Sequence, residues 1–247
     1  MIESILLAEV ENSVIQISFL RLAISLIPIV VVGWISIRWM GKGIGVGMAT
    51  ARMLVQLLAV GYVLVFLFRV ENAWIGFGVV AFMVWVSSWI AIRTIKENRW
   101  RAYGDALLAV GTGGGAVFVL VIWGVLALDP WFQPRYVIPL AGMIFSNAMT
   151  AVTLSAERFD AETASGKTFT EARSAAWNAA LIPQVNSFLA VGLVALPGMM
   201  TGQILAGVDP LVAVRYQIVV MAMVMGSAGM AVALFLVRRI REEECTP

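Results

Sequence analysis

The sequence predicts an all-α, polytopic integral membrane protein, and three observations predict it. Sixty-one per cent of the 247 residues are hydrophobic and only 13% are charged, a balance outside that of soluble domains. The apolar residues form long runs rather than amphipathic stripes, and the charges fall between the runs, so the net charge of +2 conveys little. About 20 apolar residues are needed to cross the hydrocarbon core. On that scale about seven transmembrane helices emerge, roughly 14–37, 49–68, 73–92, 106–127, 137–155, 179–200 and 212–237, within one transmembrane domain covering 1–247. The first and sixth are the weakest, so the count is six to seven.

In the first run Arg21 interrupts the apolar sequence, and residues 1–20 read either as part of the span or as an amphipathic segment on the membrane surface. No short apolar core with a small-residue cleavage site precedes it, so no removable signal peptide is expected. The second run carries Gln56, a polar group that is costly in lipid and therefore a candidate for the bundle interior. Trp34, Trp39, Trp74, Trp89, Trp100 and Trp131 fall near span ends, where indoles favour the interface. Between the third and fourth runs lies RTIKENRWR, 93–101. Its basic and aromatic residues resemble a nucleic-acid patch, but between two spans they read as an orientation signal, and no nucleic-acid partner is expected.

Lysine and arginine set the orientation. One set of loops holds Arg38, Lys42, Arg52, Arg93, Lys96, Arg99, Arg101, Arg158, Lys167, Arg173, Arg238, Arg239 and Arg241; the alternate set holds only Arg21, Arg69, Arg135 and Arg215. This places the C-terminus in the cytoplasm and, with seven spans, the N-terminus outside.

The fourth run contains GTGGGA, 111–116, which lacks the Gly-Lys-Ser/Thr ending of a phosphate loop and lies inside a span; its small residues suit close helix approach. The chain thus has no visible means of binding ATP. In the fifth run Met143 and Asn147 are four residues apart and share a helical face. The stretch 157–178 is the one connection long enough to be a cytoplasmic docking element. Within it Thr168 and Glu171 have capping-box spacing, and Gly166 just before allows a sharp turn. An ordinary helix start and a coupling helix fitting a cleft in a partner are both open on this spacing.

The sixth run is the most unusual. Pro183, Gln184, Asn186, Gly192, Pro197, Gly198, Met199, Met200 and Gln203 crowd within twenty-one residues. Prolines free carbonyls that must find partners in protein or a water-lined cavity, so a helix broken at Pro183 and at Pro197-Gly198 is expected. Gln56, Met143, Asn147, Gln184, Asn186, Met199, Met200 and Gln203 are the candidates for lining a substrate path. Amides are also common interhelical glue and methionines common packing filler. Carbonyl oxygen, amide oxygen and thioether suit a cation in transit; no tight metal site is expected, because the chain has no histidine and its one cysteine is Cys245.

RMLVQLLAVGYVLVFLF (52–68), VIPLAGMIFSNAM (137–149) and LIPQVNSFLAVGLVALPGMMTGQILAGVDPLVAVRYQIVVM (181–221) resemble the FetB/YbbM family of ABC transporter permeases, associated with iron export. The resemblance covers most of the chain from Arg52 to about Met225, and LPGMMTGQILAG is its most specific part. It implies a homodimer in the plasma (inner) membrane, bound to a separate ABC ATPase subunit that would carry ATP and Mg, with no cofactor in this chain. It also implies that Gly166, Thr168, Glu171 and Ala172 match the family's coupling motif. Two departures stand out. The loop before the LIP segment is shorter than in relatives, and some relatives have Asp and Lys where this chain has Asn186 and Leu189, which bears on the cargo.

The reading that results is a permease subunit without enzymatic activity of its own, exporting iron or a related metal. An ABC permease for a non-metal substrate is one alternative. A secondary transporter is another, weakened by the lack of an evident internal repeat and of intramembrane carboxylates, Asp209 lying in an outer loop. An intramembrane enzyme would need a nucleophile with a base, and neither a histidine nor a Gly-x-Ser-x-Gly motif is present.

Overall fold

The computed structural model describes residues 17–40, 44–69, 72–95 and 98–244. The segment 1–16, Lys42, Lys96 and Cys245 lie outside the described residues. Every described element is a helix and no strand occurs among the described residues, as the sequence predicts. The chain divides into two units, Met1–Val70 and Glu71–Pro247.

In the first unit, α1 (Phe19–Ser25) and α2 (Ile27–Met40) are separated by a turn at Leu26, and α3 (Ile44–Leu67) packs back along α2. Ser18 caps α1 by accepting from the Arg21 backbone N–H at 3.5 Å. Nearly every described side chain of this unit is exposed in the isolated chain, as expected of helices solvated by lipid rather than by a protein core.

The second unit has a core. Asn72 caps α4 (Ala73–Ala91) by accepting from the Trp74 N–H at 2.9 Å. A continuous helix, α5 (Arg99–Val125), follows, with two wide π-type stretches at Ala109–Gly114 and Leu120–Val125. The first π stretch contains most of the glycine run. A Cβ on Gly113 would stand 2.8 Å from the Ala231 backbone nitrogen, and one on Gly114 would stand 3.2 Å from the Phe145 ring. Glycine there is what lets α5 lie backbone against backbone on the last helix, the close approach the sequence predicts.

Helix α6 (Pro134–Ala164) begins with proline, whose missing donor costs nothing in a first turn. Its buried face, Ala141, Ile144, Phe145, Ala148, Val152 and Phe159, is the centre of the core, packed by α4, by α7 (Phe169–Ala190) and by α9 (Pro210–Glu244). Between α7 and α9 stands the short α8 (Gly198–Leu205).

Among the described residues six helices are long and apolar enough to cross a membrane: Phe19–Trp39, Gly45–Leu67, Ala73–Ala91, Arg99–Val125, Pro134–Ala164 and Pro210–Ile240. They correspond to six of the seven sequence spans. The remaining one, 179–200, is not a single helix: its first part is the second half of α7, and 191–197 is a turn leading to α8. Two further expectations are corrected. Pro183 does not break α7, which runs through it to Ala190; a proline removes one helical hydrogen bond, and the packed turns on either side hold the helix together. Pro197, in extended backbone, is the last residue of the interruption between α7 and α8, and Gly198 is the first residue of α8. The break lies at 191–197, where the Leu193, Val194 and Ala195 N–H groups all donate to the Ala190 carbonyl and Gly192 takes a φ of +79°. Likewise 157–178 is not a loop. Residues up to Ala164 finish α6, those from Phe169 open α7, and only Ser165 to Thr168 connect them.

Candidate functional site

At the α6–α7 connection, Gly166 adopts a φ of +84°, a region that only glycine enters without strain. Thr168 then starts α7 with a complete capping box: its Oγ1 accepts from the Glu171 N–H at 3.4 Å, and its own N–H donates to Glu171 Oε2 at 3.0 Å. The Thr168 hydroxyl also donates to Oε2, at 2.8 Å. These bonds, the hydroxyl's first and the N–H second, hold the Glu171 carboxyl below the ordinary glutamate range. Ala172 is buried one residue further on.

Charged groups gather at this end of the unit in pairs. Glu162 binds both Arg158 and Lys167; Asp160 accepts from Arg239 at 3.2 Å; Asp105, 1% exposed, accepts from Arg238. Sequence reasoning missed Asp105, which falls one residue before the start assigned to the fourth span and whose partner is 133 positions away.

Further along the helices the buried polar groups are neutral and incompletely bonded. Gln184 on α7 donates through Nε2 to Asn147 Oδ1 on α6 at 3.5 Å, and Asn147 donates in turn to the Met143 carbonyl at 2.8 Å. The two amides and the Met143 backbone are thus brought together, while Gln184 Oε1 stays buried without a partner. Gln203 Oε1 on α8 is in the same condition, as are both amide atoms of Gln217 on α9. Gln217, only 5% exposed, is one wall of a groove of about 430 Å³ that runs past Phe188, Gly192, Leu196, Met200 and Met221. Met200 therefore faces the groove, whereas Met199 packs against the core. Asn186 and Leu189 lie on the exposed face of α7, and Gln56 is exposed on α3 in the other unit. Gln217 was legible by the rule that picked out the other amides, since it too interrupts an apolar span; its place in the most regular run hid it. Among the described residues no three His, Cys, Asp or Glu side chains are grouped to hold a metal.

The profile of the uncharacterised protein family UPF0014 matches residues 19–173 and 164–242. The chain belongs to the UPF0014 family. Within it, a UPF0014 membrane protein of Synechocystis is 34% identical over 72% of this chain and 74% of its own length. The probable iron export permease protein FetB of Escherichia coli is 35% identical over 77% of this chain and 79% of its own. The protein ALUMINUM SENSITIVE 3 of Arabidopsis thaliana is 37% identical over 73% and 70%. No solved structure matches the chain. This UPF0014 protein is accordingly a multi-pass membrane protein whose relatives are named as membrane proteins and, in one case, as a permease.

Proposed function

We propose that this UPF0014 protein is the membrane-spanning subunit of an ABC transporter, exporting iron or a related metal with ATP and Mg bound on a separate ATPase subunit. The observation that carries the proposal is the 35% identity to the probable iron export permease across 77% of the chain. In this reading two copies form the permease, and Gly166, Thr168, Glu171 and Ala172 form the contact through which the ATPase drives α7. A helix pinned at its start by a capping box and continuous through Pro183 can transmit a push along its length.

The groove beside the 191–197 turn supplies the pathway chemistry. Of the unpartnered amides Gln217 lines this groove and offers a neutral oxygen, and Met200 adds a thioether. An ion held by such weak ligands leaves as readily as it binds, which transport requires. The test is co-expression with the partner ATPase, followed by metal uptake into inverted membrane vesicles. ATP-dependent accumulation of iron, absent without the ATPase, is expected. Accumulation driven by an ion gradient without the ATPase would refute the ABC assignment, and ATP-dependent transport of an organic solute in place of metals would refute the cargo.

A further inference from the structure

A second groove, of about 410 Å³, separates the first turns of α7 from the last third of α9. Thr170, Arg173, Ser174 and Trp177 form its α7 wall; they recur every three or four residues and so make one stripe. Its α9 wall is Leu236 and Val237 with Ala233. Polar and apolar chemistry are thus segregated along its length.

Arg173 makes no ion pair, whereas Arg158, Lys167, Arg238 and Arg239, the other basic side chains described at this end of α6, the connection and α9, each hold a carboxylate. The hydroxyls of Thr170 and Ser174, both exposed, likewise make no bond within the chain, although most serines and threonines of the neighbouring helices bond back to the preceding turn. The groove therefore combines a free guanidinium and two free hydroxyls with an aliphatic wall and an indole. Leu236 and Val237 close the apolar run of α9 directly before Arg238 and Arg239, the position of a span end at the headgroup boundary.

The geometry points to a binding site for an anionic phospholipid, with its phosphate at Arg173, Thr170 and Ser174 and an acyl chain along Trp177 and Val237. A basic pocket between spans at the headgroup level has the chemistry for this ligand. The site stands apart from the amide groove and does not depend on the cargo.

The full chain, purified in detergent, can be exposed to phosphatidylglycerol and phosphatidylcholine of matched acyl chains and weighed intact by native mass spectrometry. Wild type is expected to retain phosphatidylglycerol in preference, and inorganic phosphate is expected not to displace it. Arg173→Gln should lower phosphatidylglycerol retention roughly fivefold, the effect of one basic residue near an anionic surface, with phosphatidylcholine unchanged, while Arg173→Lys keeps most of it. Val237→Trp, which fills the groove and leaves the charge, should bring phosphatidylglycerol down to the phosphatidylcholine background. Unchanged retention in Arg173→Gln, or displacement by inorganic phosphate, would overturn the proposal. So would loss of the co-purifying ATPase subunit in Arg173→Gln with lipid retained, which would make the groove a subunit contact.

Discussion

The two ends of the second unit treat buried polar groups in opposite ways. At one end Asp105 and Glu162, 1% and 5% exposed, are each matched with cations from the same chain. At the other, Gln217 is equally buried and bonded to nothing. Gln217 and Arg238 are on the same helix, about 30 Å apart at 1.5 Å per residue. The charged end answers its buried carboxylates with cations of the same chain, although Asp105 Oδ2 and the Tyr103 hydroxyl stay unbonded there, whereas the cost of burying Gln217 is left standing at both of its amide atoms. A cost left standing in an otherwise well-packed helix marks a position where something other than this chain completes the bonding.

The largest expected effect tests the settled end. Arg238→Met keeps the aliphatic bulk and strands the Asp105 carboxylate, which should destabilise the protein by about 3–5 kcal/mol. Adding Asp105→Asn should restore part of that loss, as measured by thermal unfolding in detergent. If the single change is neutral, the pair is not holding α5 to α9 and the contrast with the groove fails.

The second prediction has the opposite sign. Gln217→Leu replaces an unpartnered buried amide with an apolar side chain of similar size, and should stabilise the protein by roughly 1–3 kcal/mol while lowering ATP-dependent metal transport. A variant that is more stable and less active separates a functional amide from interhelical glue. Loss of stability would mean that the amide bonds within the bundle. Beside it, Met200→Leu conserves volume and removes the sulfur that faces the groove. It should weaken transport where Met199→Leu, inside the core packing, does not.

What the sequence reveals of these regions follows the range of the interactions. The capping box was legible because Thr168 and Glu171 carry it within one helical turn, and the glycine run was legible as a close approach because small side chains have one use between spans. The Asp105–Arg238 pair joins the start of α5 to the end of α9, and no local pattern announces it. The break after α7 was misjudged for a different reason. Proline is the conspicuous signal, yet Pro183 is absorbed by a packed helix, while the chain actually turns at Gly192, whose positive φ cannot be read from its neighbours. The absent partners of Gln217 were likewise beyond sequence reasoning, because bonding is a property of the packed structure.

The smallest expected effect concerns pH and belongs to the settled end. Glu171 is solvent-exposed, and its carboxyl is lowered from 4.5 by the Thr168 hydroxyl and N–H. A carboxyl whose folded pKa is depressed stabilises the fold fully above its unfolded pKa, and the contribution is lost as pH falls through the folded value. The start of α7 should therefore hold above pH 4.5 and fray below it, visible as faster hydrogen exchange across residues 168–172. Glu171→Gln retains a side chain that can reach the Thr168 N–H but cannot titrate, so its exchange should not depend on pH in this window beyond the intrinsic chemistry. If wild type and variant respond to acid alike, the carboxylate is not what pins the helix. If they differ while the variant still stimulates the ATPase, the capping box organises the fold and the coupling role of Glu171 is lost.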